Sequence, residues 1–421
     1  MGRVSERTDG AHRPREARSP GPASRRSRLW AVVILVSFPS SVRAQDADVN
    51  PIPDPEPALD GPHDPFGLGL KRLAYSVGLK IAEVFDDNVL LDPDRKTPDY
   101  ITLFLLSARL RYEYAAGAAQ VTYRARERLF ARHDEFNGLE HFLTATGTLD
   151  SRPVRFEAGL EWRDLKDPFD VLQFTGHLDS RFDREYLKAI ADFSRFDVEV
   201  TAGLAHFAID DEILNRGDYR RWEFTVTGLA NAWPQVALLA EFGIQGTDYS
   251  GAEFSDFTFM RLSAGARGAL TPKTRTEARV GVGRADPESG GLFPVEEVTE
   301  VVAEASVAWD IDERQGLKVE LRREPIESVV TGLAVAEGLR VGYRHAFAER
   351  WTVQALVSWD RQRESDGTGT RRGLQARAGA RWASRGSVFA DLGFLVRTRQ
   401  SDDPALEYEN FRFSVGVGVQ W

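Results

Sequence analysis

No cysteine occurs anywhere in the 421 residues. That excludes a disulfide framework, a thiolate metal site and a cysteine nucleophile. Long apolar runs are also missing. The longest, Leu29–Phe38, covers about ten residues, whereas a helix that crosses a bilayer needs about 20. If the mature chain spans a membrane, it must do so as a barrel. There is no Gly-x-Ser-x-Gly elbow, phosphate-binding loop, dinucleotide fingerprint or His-Glu-x-x-His pair. Nothing in the sequence therefore selects an enzyme, and no cofactor is expected. A basic excess is absent as well, with 54 Lys and Arg against 64 Asp and Glu. Nucleic-acid binding wants a basic face, so no nucleic-acid partner is expected.

The first 44 residues read as an address. Eight arginines between Arg3 and Arg28 precede the short apolar stretch, and Val42-Arg43-Ala44 follows it. This is a secretory signal with cleavage expected after Ala44. Residues 1–44 hold nine basic and three acidic side chains, so their removal leaves 45 basic against 61 acidic, a net of −16. Residues 45–69 form a second non-domain segment. Pro51, Pro53, Pro55, Pro57, Pro62 and Pro65 are interspersed with Asp and Glu, a composition that favours extended geometry and reads as a periplasmic tether.

From residue 70 to 421 one pattern repeats, an alternation of apolar and polar residues with period two. In the last segment Phe411, Phe413, Val415, Val417, Val419 and Trp421 share one face. Arg412, Ser414, Gly416, Gly418 and Gln420 share the other. Phe104, Leu106, Ala108, Leu110 and Tyr112 likewise oppose Ser107, Arg109, Arg111 and Glu113. Helical i, i+3, i+4 stripes are nearly absent, so the class is all-β. A soluble sandwich and a membrane barrel both alternate in this way. Three features favour the barrel. Small apolar residues fill segment centres with aromatics near the ends, long Arg and Glu recur on the polar face, and connections alternate between short and long. Eight short turns and nine long loops predict an antiparallel up-and-down barrel of about 18 strands, with both termini periplasmic. Poor alternation over 177–192 keeps 16 strands as the alternative.

A signal peptide, alternating strands and a terminal aromatic strand resemble the Gram-negative outer-membrane β-barrel proteins. The resemblance covers about residues 70–421. It implies an outer-membrane location, contact with lipid and lipopolysaccharide, and a last strand read by the barrel-assembly machinery through Phe411, Phe413 and Trp421. Phe85-Asp86-Asp87-Asn88-Val89-Leu90, with Asp99 opening the second strand, is similar to a β-barrel porin family associated with exopolysaccharide gene clusters. Leu106-Ser107 stands where that family often carries Pro-Gly.

Function is expected on the polar face. Arg109, Arg111, Arg124, Arg126 and Arg128 fall on strands 2 and 3 as a basic patch of the lumen. Arg155, Glu157, Glu161 and Arg163 continue it on strand 5. Lys318, Glu320, Arg322, Arg340, Arg344, Arg377, Arg381 and Arg412 come opposite. Charged rings set channel selectivity, Arg and Lys favouring anions; Arg–Glu ladders that merely stiffen the wall are the other reading. Two loop features are weighed as cation sites and set aside. His133 and His141 flank one loop, and Asp86, Asp87, Asn88, Asp92 and Asp94 line another without the spacing of a calcium loop. No metal site is expected. The chain is thus expected to be a porin-like channel, serving exopolysaccharide export or biosynthesis. A general or substrate-specific diffusion porin is the alternative, with a polysaccharide or a small anionic solute as cargo. A barrel enzyme or a structural anchor is the third reading, with little to support it.

Overall fold

The computed structural model describes residues 73–168, 177–209, 218–251, 255–288, 297–328, 332–364, 367, 369–384 and 386–421, all within the compact unit Ile34–Trp421. The expected signal and tether lie outside the described residues. Eighteen strands follow one another along the chain. They are β1 (Leu73–Asp86), β2 (Asp99–Tyr114), β3 (Gly117–Phe130), β4 (Gly138–Ser151), β5 (Val154–Pro168), β6 (His177–Asp192), β7 (Phe196–Ile209), β8 (Tyr219–Trp233) and β9 (Val236–Tyr249). They continue as β10 (Phe257–Thr271), β11 (Thr274–Pro287), β12 (Val298–Asp310), β13 (Gln315–Ser328), β14 (Gly332–Phe347), β15 (Trp351–Glu364), β16 (Thr370–Ala383), β17 (Val388–Ser401) and β18 (Tyr408–Gln420). Each pairs antiparallel with its sequence neighbour, and β18 pairs with β1, so the sheet closes. The weakly alternating segment 177–192 is β6, which removes the sixteen-strand alternative. No described helix is long and apolar enough to cross a membrane.

The alternation turns inside out relative to a soluble protein. On β2, Leu106, Leu110 and Tyr112 are 37%, 45% and 46% exposed while Ser107 is 5% exposed. In register, Ser107 sits beside Arg124 and Arg109 beside Thr122, so the polar set shares the inner face. The outer apolar set has no protein partner because its solvent is lipid. A fourteen-residue strand spans about 46 Å at about 3.3 Å per residue. Tilted by about 40°, it outreaches an apolar band about 25 Å tall. On β15 that band is bracketed by outward Trp351 and Trp359, with Arg361 and Arg363 beyond it.

Strands run through prolines that locally favour a loop. β13 passes through Pro325 to Ser328, with β14 beginning at Gly332, and β5 extends to Pro168. Proline is tolerated in a strand where its missing N–H faces no partner, and Pro325 pairs only towards β14.

Closure rests on side chains as well as the ladder. Lys80 on β1 reaches over β18 to Asp391 on β17 at 3.1 Å, both side chains nearly inaccessible. Arg412 on β18 meets Asp86 on β1 at 2.5 Å. Asn410 donates to Asp86 Oδ1 and to the Asn88 carbonyl. At the other end the Val77 and Trp421 backbones exchange two hydrogen bonds, at 2.9 and 3.1 Å.

Candidate functional site: the charged lumen wall

Strand register decides which side chains meet inside the barrel. Towards the long-loop rim, the inner faces of β6 to β12 carry an apolar belt that includes Phe182, Phe207, Tyr219, Phe257, Phe259 and Val302, with Leu333 of β14 packed on it. Beyond that belt, towards the short turns, the wall becomes ionic. A cavity of about 380 Å³ is lined by nine basic and eight acidic side chains, with Thr201, Thr225, Thr227, Ser306, Ser358 and Tyr408 among the polar ones; on β17 and β18 the lining reaches Arg399 and Tyr408 beside the long-loop rim.

The ionic wall is stitched across strands. Glu199 on β7 takes Lys188 of β6 at 2.6 Å and Arg267 of β10 at 2.9 Å, although two strands separate β7 from β10. Arg267 also holds Glu277 at 2.8 Å. Glu241 on β9 takes Arg261 at 3.0 Å and Arg279 at 2.5 Å, and Arg279 passes the chain on to Glu304. Arg184 on β6 reaches past β7 to Glu223 on β8 at 2.6 Å. Each carboxylate thus accepts from guanidinium or ammonium groups on other strands, which makes the bonds charge-assisted and fixes long side chains along the wall.

The facing wall, β14 to β18, is richer in arginine. Arg381 forks onto Asp391 at 2.7 and 3.0 Å. Arg371 pairs with Glu364 at 2.6 Å. Arg397 donates to Asn410, and Arg399 lies 5.0 Å over the Tyr408 ring. Arg340, Arg344 and Arg377 lie on the same inner face by register.

The residues expected from sequence sit on the inner face, but in a different setting. Arg126 and Arg128 converge on Glu140 of β4, and all three are nearly inaccessible. Arg111 pairs with Glu113 at 2.8 Å, Arg155 with Glu157 at 2.9 Å, and Arg163 with Glu161 at 2.6 Å. Arg109 and Arg124 complete the β2–β3 patch by register. None of these, nor Arg377, Arg381 or Arg412, lines the cavity, whereas Lys318, Glu320, Arg322 and Arg340 do. Sequence reasoning passed over Glu199, Glu223, Glu241, Arg261, Arg267, Glu277, Arg279, Glu304, Arg397 and Arg399. The signal was available, since each stands on the polar parity of its segment, but nothing in a linear pattern says which strands lie across from one another.

The two loop features have structural roles. His141 stacks on Tyr123 and Trp162, while His133 hydrogen-bonds Glu135 at 3.1 Å. In the loop after β1, Asn88 and Asp92 exchange side-chain and backbone bonds, and Asp92 Oδ1 accepts the Asp94 and Arg95 amides. This is the chemistry of a capped turn. A hydrogen bond from Lys96 to Asp87 holds the ammonium above the ordinary lysine range.

A family model described as Putative beta-barrel porin 2 matches residues 208–421, half of the chain. No curated protein matches. Among solved structures, the chain is similar to OccK2 (OpdF) of Pseudomonas aeruginosa at 9% identity, covering 83% of this chain and 98% of that one with a TM-score of 0.45. It is similar to OccAB3 of Acinetobacter baumannii at 11% identity, with 83% and 99% covered and a TM-score of 0.45. OccK9 (OpdG) of Pseudomonas aeruginosa gives 11% identity, 84% and 99% coverage, and 0.45.

Proposed function

Because the chain belongs to the Putative beta-barrel porin 2 family and is an outer-membrane porin-like channel, we propose that it passes hydroxylated, carbohydrate-type solutes, segments of an exopolysaccharide among them. The observation that carries this reading is the balance of the cavity wall, nine basic against eight acidic side chains interleaved with hydroxyls. A wall of one sign holds the opposite ion and excludes its own. A wall of alternating sign offers donors and acceptors to neutral hydroxyls without a net field. The Phe85–Leu90 motif supports the same system.

The second reading is a diffusion porin for small anions, supported by the arginine-rich face of β14 to β18. Planar-bilayer conductance separates the two. Neutral and anionic oligosaccharides should block the open channel in discrete steps under the first. Strong anion preference without oligosaccharide block would replace it with the second.

The partners follow from the same reading. Lipid and lipopolysaccharide cover the outward apolar band, and the assembly machinery engages β18 through Phe411, Phe413 and Trp421. A leader cleaved after Ala44 delivers the chain, and N-terminal sequencing of the mature protein tests that bond.

A further inference from the structure

Among the described strands the ladder parts at the long-loop rim in two places: over three residues between β4 and β5, where the Glu140 side chain takes the Lys166 amide, and over five between β12 and β13. Pairing between β12 and β13 stops at Ala303 with Arg323, although β12 continues five residues to Val298 and β13 five residues to Ser328. Each stays paired on its other side, β12 with β11 and β13 with β14. Extending the register would bring Val302 opposite Glu324 and Val301 opposite Pro325. Proline has no N–H to give, so a ladder cannot be completed there. The Val301 carbonyl is served instead by Arg323 Nε, at 3.1 Å. Arg323 also holds Glu300 and Glu337, and Arg363 reaches Glu300 at 2.5 Å. A side chain thus bridges where the backbone ladder is open, and this gap is the longer of the two.

What lies on either side of the seam differs. Inside, the apolar belt runs up to it through Phe259, Ala285 and Val302, and Leu333 of β14, on the parity of Glu337 and Leu339, joins the same buried cluster. Outside, Arg323 and Glu337 stand one register step beyond Leu321, Leu339 and Trp359, at the edge of the lipid-facing band. An acyl chain fits the inner belt, and a charged head fits the arginines.

We propose that the β12–β13 seam is a side port. Through it a single-chain anionic amphiphile exchanges between the lumen and the outer leaflet. Arg323 is the latch: its guanidinium leaves Glu300 for the anionic head while the tail slides past Val302.

The test uses the full-length protein in vesicles and a fluorescent alkyl sulfonate, which cannot cross a bilayer as a neutral acid. Uptake is read as fluorescence protected from an added quencher, and ion conductance is read in parallel. The chain has no cysteine of its own, so Val302→Cys with Glu324→Cys gives a unique pair. Glu324 is one of the cavity's acidic residues, so conductance is compared between the oxidised and reduced forms of this variant: oxidation should stop uptake, reduction should restore it, and ion conductance should be equal in the two forms. Uptake that persists in the oxidised barrel overturns the port. So does an equal loss of ion conductance, which would place the amphiphile in the main channel. Pro325→Ala restores the missing N–H. It should add exchange protection at the β12 edge and lower uptake; added protection with unchanged uptake also overturns the proposal.

Discussion

Replacing Glu140 with Gln removes one charge and almost no volume from the most enclosed ionic cluster on the β3–β4 wall. Glu140 is fully inaccessible and accepts from Arg126, from Arg128 and from the Lys166 amide at 3.1 Å. The variant leaves two buried guanidiniums without their shared carboxylate. Breaking a buried pair from one side costs about 3–5 kcal/mol. The amide oxygen still accepts an N–H, so the lower end, about 3 kcal/mol, is expected. That is a shift of roughly a hundredfold in the folding equilibrium. Urea titration of the reconstituted barrel, followed by its heat-modifiable mobility on gels, measures it. Adding Arg126→Met and Arg128→Met should recover most of the loss, because an apolar cluster of similar volume needs no counterion. A Glu140→Gln midpoint equal to wild type would refute the reasoning and return Arg126 and Arg128 to the water-filled lumen.

The closure contacts predict that Arg412→Ala, which strips the guanidinium from inaccessible Asp86, also destabilises by about 3–5 kcal/mol in the same assay. Arg322→Gln with Arg340→Gln, both at the cavity, should move the reversal potential towards cations. The shift should shrink between 0.1 M and 1 M salt as the Debye length falls from about 10 Å to about 3 Å; a salt-independent shift would point to altered structure. Arg128→Gln should leave the reversal potential unchanged while lowering stability, since its side chain does not reach the cavity. Deleting Phe411–Trp421 exposes an unpaired edge in lipid. Periplasmic aggregate should replace heat-modifiable barrel, and normal insertion would remove β18 from assembly.

The strand count was legible because period two is a local property. Phe411 to Trp421 announces a lipid face and a lumen face without reference to any other residue, and connection lengths count the strands. The faint segment was β6, where Arg184, Tyr186 and Lys188 point inward beside Gly159 and Glu157. Such strands blur the pattern because the inner wall accepts an aromatic wherever a glycine opposite leaves room. A Cβ on Gly159 would fall 2.2 Å from the Tyr186 hydroxyl.

The partners of the inner charges were not legible. Parity alone placed Arg126 and Arg128 on the lumen side, but only the register puts Glu140 beside them and turns a selectivity patch into a buried cluster. The same holds for Glu199 and Arg267, 68 residues apart in sequence and joined only because the wall curves. Pro325 shows the limit most plainly. Read locally, proline starts a loop; in the closed sheet it sits inside a strand, facing an edge that its missing N–H leaves open. Alternation and turn spacing are written in neighbouring residues, so the sequence alone determined that this chain is a barrel and roughly how many strands it has. Which charges neutralise one another, where the cavity lies and where the wall parts depend on distances between strands remote in sequence, and those exist only once the sheet has closed.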